Sequence, residues 1–225
     1  LKTALADASL QQAVGLSAVN SINFARIVAQ SVYYLTTALS LGAPHRPVSF
    51  AVPSGNFGDG FAGFVAQRMG LPVGRILIAT NANDILARTF RTGLYARGGV
   101  AETQSPAMDI QSASNFERLF FEATGRDGAA TAEAFTGFAR GREIQVPAAA
   151  LSAMTSLFSG ASTDEPGTAL EMRQCLSETG ERVDPHTAVA LSALRRHPAP
   201  GPTVVLATAH PAKFPEAVLA ATGSV

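Results

Sequence analysis

A chain of 225 residues, 47% of them apolar, can bury one large core or two small ones, and its 17 basic and 17 acidic residues leave no net charge. That balance lacks the basic excess of a nucleic-acid-binding surface, the lone Cys175 excludes an internal disulfide, and no apolar run reaches the length of a membrane span. No basic start leads into an apolar signal core, so a soluble cytoplasmic protein is expected. Leu1 to Gly15 reads as the tail of a helical segment. A long helix follows to about Leu41, with Asn20 or Ser21 as its cap. Ile22, Ala25, Ala29, Val32 and Leu39 line one face of it, and Phe24, Val28, Leu35 and Ala38 another. A helix apolar on most sides is expected between layers. Ser21 and Asn23 either cap this helix or meet a ligand, and Arg26 in so apolar a setting calls for an anion, a carboxylate or a substrate phosphate.

Val48 to Val52 is a short run of β-formers between Pro47 and Pro53, the pattern of a buried strand. Ser54-Gly55-Asn56-Phe57-Gly58 follows, and a helix runs from Phe61 to Met69, capped by Asp59, Ser54 or Asn56 and stopped at Gly70-Leu71-Pro72. A strand feeding a glycine-bearing turn at a helix start offers free N–H groups and a positive dipole end, which is an anion site unless it is an ordinary turn. No Gly-Lys-Ser/Thr follows, and Gly55, Gly58, Gly60 and Gly63 do not fit Gly-x-Gly-x-x-Gly.

Val73 to Thr80 is a second strand, and Asn81-Ala82-Asn83-Asp84 is a polar turn in which Asn83 or Asp84 caps a helix to about Phe90. Two strand–turn–helix units in tandem predict an α/β fold: a parallel sheet with crossover helices and its ligands at the carboxyl ends of the strands. Ser105 to Ile110 reads as a crossing segment, Asn115 to Thr124 as a helix capped by Asn115 or Ser114, and Asp109 with Arg118 as an ion pair. Three helices are predicted over 130–140, 148–158 and 166–178, with Ser159 to Ser162 as punctuation; Cys175 sits in the last of them as a small buried residue. Residues 125–182 thus read as a helical insert between an α/β part, 1–124, and a closing part, 183–225. Asp184 caps a helix to about His197 with Pro185 in its first turn, and His186 either contacts a ligand or bonds to backbone. Thr203 to Ala207 is a third buried strand, Thr208 leaves it with its hydroxyl at the strand's carboxyl end, and the last helix spans 213–221.

Six ordered blocks carry a family resemblance: AVNSINFARIVAQSVYY (18–34), PSGNFGD (53–59), IATNANDIL (78–86), SPAMDIQSASNFERL (105–119), VDPHTAVA (183–190) and ATAHPAKF (207–214). They resemble threonine synthase, a pyridoxal-phosphate (PLP) enzyme of the tryptophan-synthase fold group. The resemblance implies the large PLP domain of a fold type II enzyme that converts O-phospho-L-homoserine and water to L-threonine and phosphate. It implies that Ser54, Gly55, Asn56, Phe57 and Gly58 hold the cofactor phosphate and that Thr208 meets the ring nitrogen. It sets the helix start with Ser21, Asn23 and Arg26 at the substrate cleft. No metal is implied. The family's Schiff-base lysine lies well before the block at 18–34, and neither lysine of this sequence, Lys2 or Lys213, matches its surroundings. The resemblance therefore implies a C-terminal portion with no catalytic residue of its own, inactive alone and partnered by the N-terminal half of the same enzyme. Two rivals are a non-catalytic module that binds PLP or another phosphate ester, and a serine or threonine dehydratase. The second usually carries a glycine-rich tetrad in place of GNFG.

Overall fold

A computed structural model of the chain describes residues 7–15 and 20–224. Lys2 and the first two residues of the block at 18–34 lie outside the described residues. After helix α1 (Ala8–Val14) and helix α2 (Phe24–Ser40), strand β1 (Val48–Pro53), helix α3 (Gly58–Arg68), strand β2 (Val73–Thr80) and helix α4 (Ile85–Thr92) form the two tandem units that the sequence predicts. A third strand of the same sheet, β6 (Thr203–Val205), pairs with β1. The fourth was not anticipated: β5 (Phe158–Ser162) pairs with β2 from Ile76 opposite Phe158 to Thr80 opposite Ser162. All pairings are parallel, in the order β5-β2-β1-β6.

Alternation along the strands divides the core. Phe50, Val52, Ile76, Ile78 and Phe158 face one cluster together with Ile27 and Tyr34 of α2 and Leu86 and Phe90 of α4. Ala51, Leu77, Ala79 and Ala161 face the other, where Val189, Ala190 and Ala193 of helix α9 (Pro185–Arg196) cover them. A period of two, small residues on one side and large on the other, thus sets a close-packed helix on one face and a thick aromatic layer on the opposite one.

Residues 125–182, expected as a helical insert, hold helices α6 (Gly128–Ala139), α7 (Ala148–Thr155) and α8 (Glu165–Thr179). The stretch also supplies β5 and the short strand β4 (Ile144–Gln145), which pairs antiparallel with β3 (Leu94–Tyr95). The sequence signal for β5 was hidden by its small residues. Gly160 is required there, because a Cβ on it would lie 2.6 Å from Ala87 Cα of α4. Helix α5 (Phe116–Ala123) precedes this stretch, and α10 (Pro215–Thr222) ends the fold after a 3₁₀ turn at Pro211–Lys213. Strand β6, expected to be buried, is an edge strand and only half-buried.

Helix α2 meets expectation at its cap and departs from it in its packing. Of the residues offered as caps, Asn23 takes the place: its Oδ1 accepts the Ala25 N–H at 2.9 Å, and Asn20 and Ser21 do not. The buried face of α2 is Ile27, Ser31, Tyr34 and Ala38, and so Phe24, Val28, Val32 and Leu39 are each about half exposed instead of sandwiched. Tyr34 fixes that rotation: its ring meets Phe50 at 4.6 Å and its hydroxyl donates to the Asp59 carbonyl at 2.8 Å. Tyr34 is fully buried. Tyr34→Phe is therefore expected to cost about 1 to 2 kcal/mol in urea unfolding, since it leaves the Asp59 carbonyl without its buried donor.

Candidate active site

The carboxyl end of β1 opens into a cavity of ≈ 380 Å³. Ser54, Gly55, Asn56, Phe57 and Gly58 line it, and so do Thr208, Ser21 and Arg26. The fold therefore brings together every predicted cofactor residue and two of the three predicted substrate residues. Asn23 does not line the cavity; its side chain caps α2.

The loop is built by an unusual helix start. The N-cap of α3 is Phe57 at φ 62, ψ 16, a left-handed conformation that side chains avoid, and it makes no capping hydrogen bond. Such a conformation costs about 1 to 3 kcal/mol. Burial of the Phe57 ring against Phe158 at 5.3 Å, Phe90 at 5.9 Å and Phe116 at 6.2 Å returns a similar amount, about 2 to 3 kcal/mol. The ring is pinned in the core while Phe57 and its neighbours still line the cavity. Among the described residues, no hydrogen bond uses the main-chain N–H of Gly55, Asn56, Phe57 or Gly58. Four unspent donors at the positive end of an eleven-residue helix are the groups that an anion-binding cradle needs.

The other side chains at this helix start do not cap it. Asp59, predicted as a cap, accepts the Tyr33 hydroxyl at 2.5 Å. Burial pushes its carboxyl pKa up, against the opposing pull of the Tyr33 hydrogen bond and the Arg26 charge. Burial, and then Asp59, push the Tyr33 phenol upward in turn. Asn56 is held by its carbonyl, which accepts Asn115 N at 3.0 Å and Asn115 Nδ2 at 3.1 Å, and by its side-chain oxygen, which accepts the Ser114 hydroxyl at 3.2 Å. Asn115 Nδ2 also donates to Ser21 O at 2.7 Å, fastening the start of α2 to the loop. Asn115 therefore works as a clasp and not as the side-chain cap predicted for α5.

The second wall was not legible in the sequence. Ala107 and Met108 line the cavity from a 3₁₀ turn at Pro106–Met108. Behind it, Asp109 gathers Asn81 Nδ2 at 2.7 Å, Asn83 Nδ2 at 3.0 Å, Thr103 Oγ1 at 2.6 Å and Thr103 N at 2.9 Å. The predicted ion pair of Asp109 with Arg118 does not form. Arg118 instead donates to Ile22 O and Asn115 Oδ1. Asp84 occupies the cap position of α4 but spends its carboxylate on Arg88 at 2.7 Å.

The third wall comes from the end of the chain. Thr208 is exposed and lines the cavity with Lys213, Phe214 and His186. Asp184 caps α9 as predicted, accepting His186 N at 2.8 Å. Burial alone would raise its carboxyl pKa, but the hydrogen bonds from His186 and Thr187 outweigh it and hold the group below the usual range. Cys175 is buried in α8 beside Thr179. Among the described residues no cluster of three His, Cys, Asp or Glu side chains is arranged to hold a metal ion, and no helix is long and apolar enough to cross a membrane.

Comparison with known proteins agrees with this geometry. A family model described as the C-terminal part of threonine synthase matches residues 187–225. Threonine synthase of Pseudomonas aeruginosa is 45% identical over 220 residues, covering 97% of this chain and 47% of its own length. That of Eremothecium gossypii is 42% identical, covering all of this chain and 48% of its own. Among solved structures, a PLP-bound threonine synthase from Brucella melitensis superposes with a TM-score of 0.95 at 52% identity, over 99% of this chain and 48% of that one. Yeast threonine synthase gives 0.88 at 36% identity, over 98% and 47%. A PLP-dependent aspartate racemase, at 12% identity and a TM-score of 0.60, shares the fold alone. The chain spans about half the length of the relatives it matches. The likeness runs along nearly the whole of this chain in both sequence and fold, and it is a likeness to the C-terminal half of threonine synthase.

Proposed function

We propose that this chain forms the phosphate-loop part of a PLP-dependent carbon–oxygen lyase that converts O-phospho-L-homoserine and water to L-threonine and phosphate. The observation that carries the reading is the cradle of four unbonded amides, Gly55 to Gly58, with the Thr208 hydroxyl in the same cavity. The donor set fits a phosphate monoester: backbone N–H groups at a helix N-terminus, the Ser54 hydroxyl and the Asn56 amide. When bound, PLP supplies the electron sink for elimination and replacement at the substrate carbons. This chain's residues supply the rest. The cradle holds the cofactor phosphate, and helix α3 adds about half a unit of positive charge there. Thr208 offers the ring nitrogen a neutral hydroxyl, which orients the ring without the charge a carboxylate would bring. Arg26, exposed on the cavity rim, is the cation for the leaving phosphate, with Ser21 beside it.

The lysine that anchors the cofactor is absent from this reading. Lys213 is exposed and reaches the cavity, but its HPAKF block is not where the family places that lysine. We therefore assign the anchor to the N-terminal half of the same enzyme, and the isolated chain to an inactive state. The α2 stripe of Phe24, Val28, Val32 and Leu39, each about half exposed on one helix, is the surface that half would cover. We propose the cytoplasm as the protein's location, which suits a biosynthetic reaction on a free amino-acid phosphate.

Borohydride reduction of the purified chain in the presence of PLP, followed by peptide mapping, tests the assignment. Saturable PLP binding without a stoichiometric adduct on Lys213 is the expected result; such an adduct would make the chain a self-sufficient PLP protein. Binding that no N-terminal half converts to turnover would favour a non-catalytic binding module. Thr208→Val is expected to weaken PLP binding about five-fold, the worth of one neutral hydrogen bond, in a spectroscopic titration. Unchanged affinity and spectrum would remove Thr208 from the site.

A further inference from the structure

His186 is buried, with its ring 4.9 Å from that of Phe214, and both ring nitrogens are engaged. Nδ1 lies 2.9 Å from Asp184 Oδ1. Asp184 is itself fully buried, and its second carboxylate oxygen accepts the Thr187 hydroxyl. A carboxylate that accepts on both oxygens has no proton to give, so the hydrogen-bond partners assign the imidazole proton to Nδ1. Nε2 then presents a lone pair, and that lone pair accepts the main-chain N–H of Ala107 at 3.3 Å. Ala107 belongs to the wall that faces the phosphate loop: a Cβ on Gly55 would lie 2.8 Å from Ala107 O and 3.0 Å from Met108 Cα. An unbroken path of contacts thus runs from the start of α9 through an imidazole to the loop.

We propose that His186 is a positioning residue of this cavity: Asp184 fixes its tautomer, and its Nε2 latches the Ala107–Met108 wall against Gly55 of the loop. A histidine satisfied only within its own helix would have no reason to spend its lone pair on a residue 79 positions away that lines the same cavity. The arrangement matches the general device in which a buried carboxylate holds one imidazole nitrogen so that the other points one way. It also gives α9 a direct hold on the wall that faces the loop.

The link to anion binding rests on the phosphate-loop reading above; the latch itself does not, and the experiment separates them. Nitrogen-15 NMR of the ligand-free chain is expected to show His186 protonated at Nδ1 and bare at Nε2. A proton on Nε2 would overturn the latch even if every variant failed to fold. His186→Leu removes the acceptor, whereas the amide oxygen of His186→Gln can reach the place of Nε2. Hydrogen exchange at the Ala107 amide is expected to quicken about ten-fold in the Leu variant and to return within about three-fold of wild type in the Gln variant, ten-fold being about 1.4 kcal/mol, the upper scale of one hydrogen bond. Affinity for PLP, followed by absorbance, should fall and recover in step. Equal effects of the two substitutions, or an Ala107 amide indifferent to both, would overturn the proposal. An Ala107 amide that responds as expected in a chain that binds neither PLP nor inorganic phosphate would uphold the latch and sink the phosphate-loop reading.

Discussion

Asp109→Ala is expected to destabilise the chain by about 3 kcal/mol and to loosen residues 101–108 before the rest of the fold. Oδ1 of Asp109 accepts three hydrogen bonds, from Asn81, Asn83 and Thr103 side chains, and Oδ2 accepts the Thr103 amide. Asn81 and Asn83 are buried at 0% and 2% exposure, so water does not replace what the carboxylate gives. Their amide orientations are fixed from the other side: Asn81 Oδ1 accepts Asn83 N at 2.9 Å, and Asn83 Oδ1 accepts Ala101 N at 2.8 Å. Part of the loss is buffered, because Asn81 Nδ2 keeps Ser105 Oγ at 3.0 Å and Asn83 Nδ2 keeps Ala101 O at 2.9 Å. The Thr103 amide has no such reserve. Hydrogen bonds to a charged acceptor contribute about 1.5 to 3 kcal/mol each, and an orphaned buried donor costs about 1 to 3. Urea unfolding would measure the total, and amide exchange its location. Asp109→Asn should recover only part of it: its amide oxygen can keep the place of Oδ1, but its NH2 then faces the Thr103 N–H as donor against donor, and the charge is lost. An Asn variant as stable as wild type would show that the network does not depend on a carboxylate hub.

That network marks where the sequence stopped being readable. The strand-loop-helix at 48–68 was legible, because its cues are local: β-formers between prolines, two glycines at a turn, a helical period after them. The convergence of Thr208 on the same cavity followed from parallel topology, since strand ends gather on one side. Asn81 and Asn83 were read as turn chemistry. Two contacts are just that, Asn83 N and Nδ2 to Asn81 Oδ1, but their other bonds reach across 18 to 28 residues, and no local pattern encodes such partners. Asn115 misled in the same way, with a cap-like position and a long-range clasp. The strand at 158–162 was missed because packing against α4 demands glycine and small residues, which read as punctuation. The rotation of α2 escaped because several of its faces are apolar. The buried one was chosen by Tyr34, whose hydroxyl needs the Asp59 carbonyl.

The glycine of the phosphate loop gives the sharpest test of how that cavity is closed. Gly55 needs its lack of side chain for space and not for backbone freedom. A Cβ there would stand 2.8 Å from Ala107 O, 3.0 Å from Met108 Cα and 3.3 Å from Ile110 Cδ1. The first two are main-chain atoms, and the turn that carries them is held from behind by Asp109 and from the side by His186. Neither partner can yield a few tenths of an ångström without breaking hydrogen bonds. Gly55→Ala must therefore move the loop, and with it the four unbonded amides of 55–58. Overpacking of this kind costs about 1 to 3 kcal/mol. If about 2.7 kcal/mol of it falls on the bound geometry, affinity for PLP drops about 100-fold. Gly99→Ala, at a position where a Cβ meets nothing within 4 Å, controls for the substitution itself and should leave affinity within about two-fold, within the ±0.5 kcal/mol usual for surface changes. Spectroscopic PLP titration of the two variants beside wild type decides the matter. A Gly55→Ala chain that binds PLP as wild type does would mean that the anion is held elsewhere in the cavity, with Arg26 and Lys213 the next cations to examine.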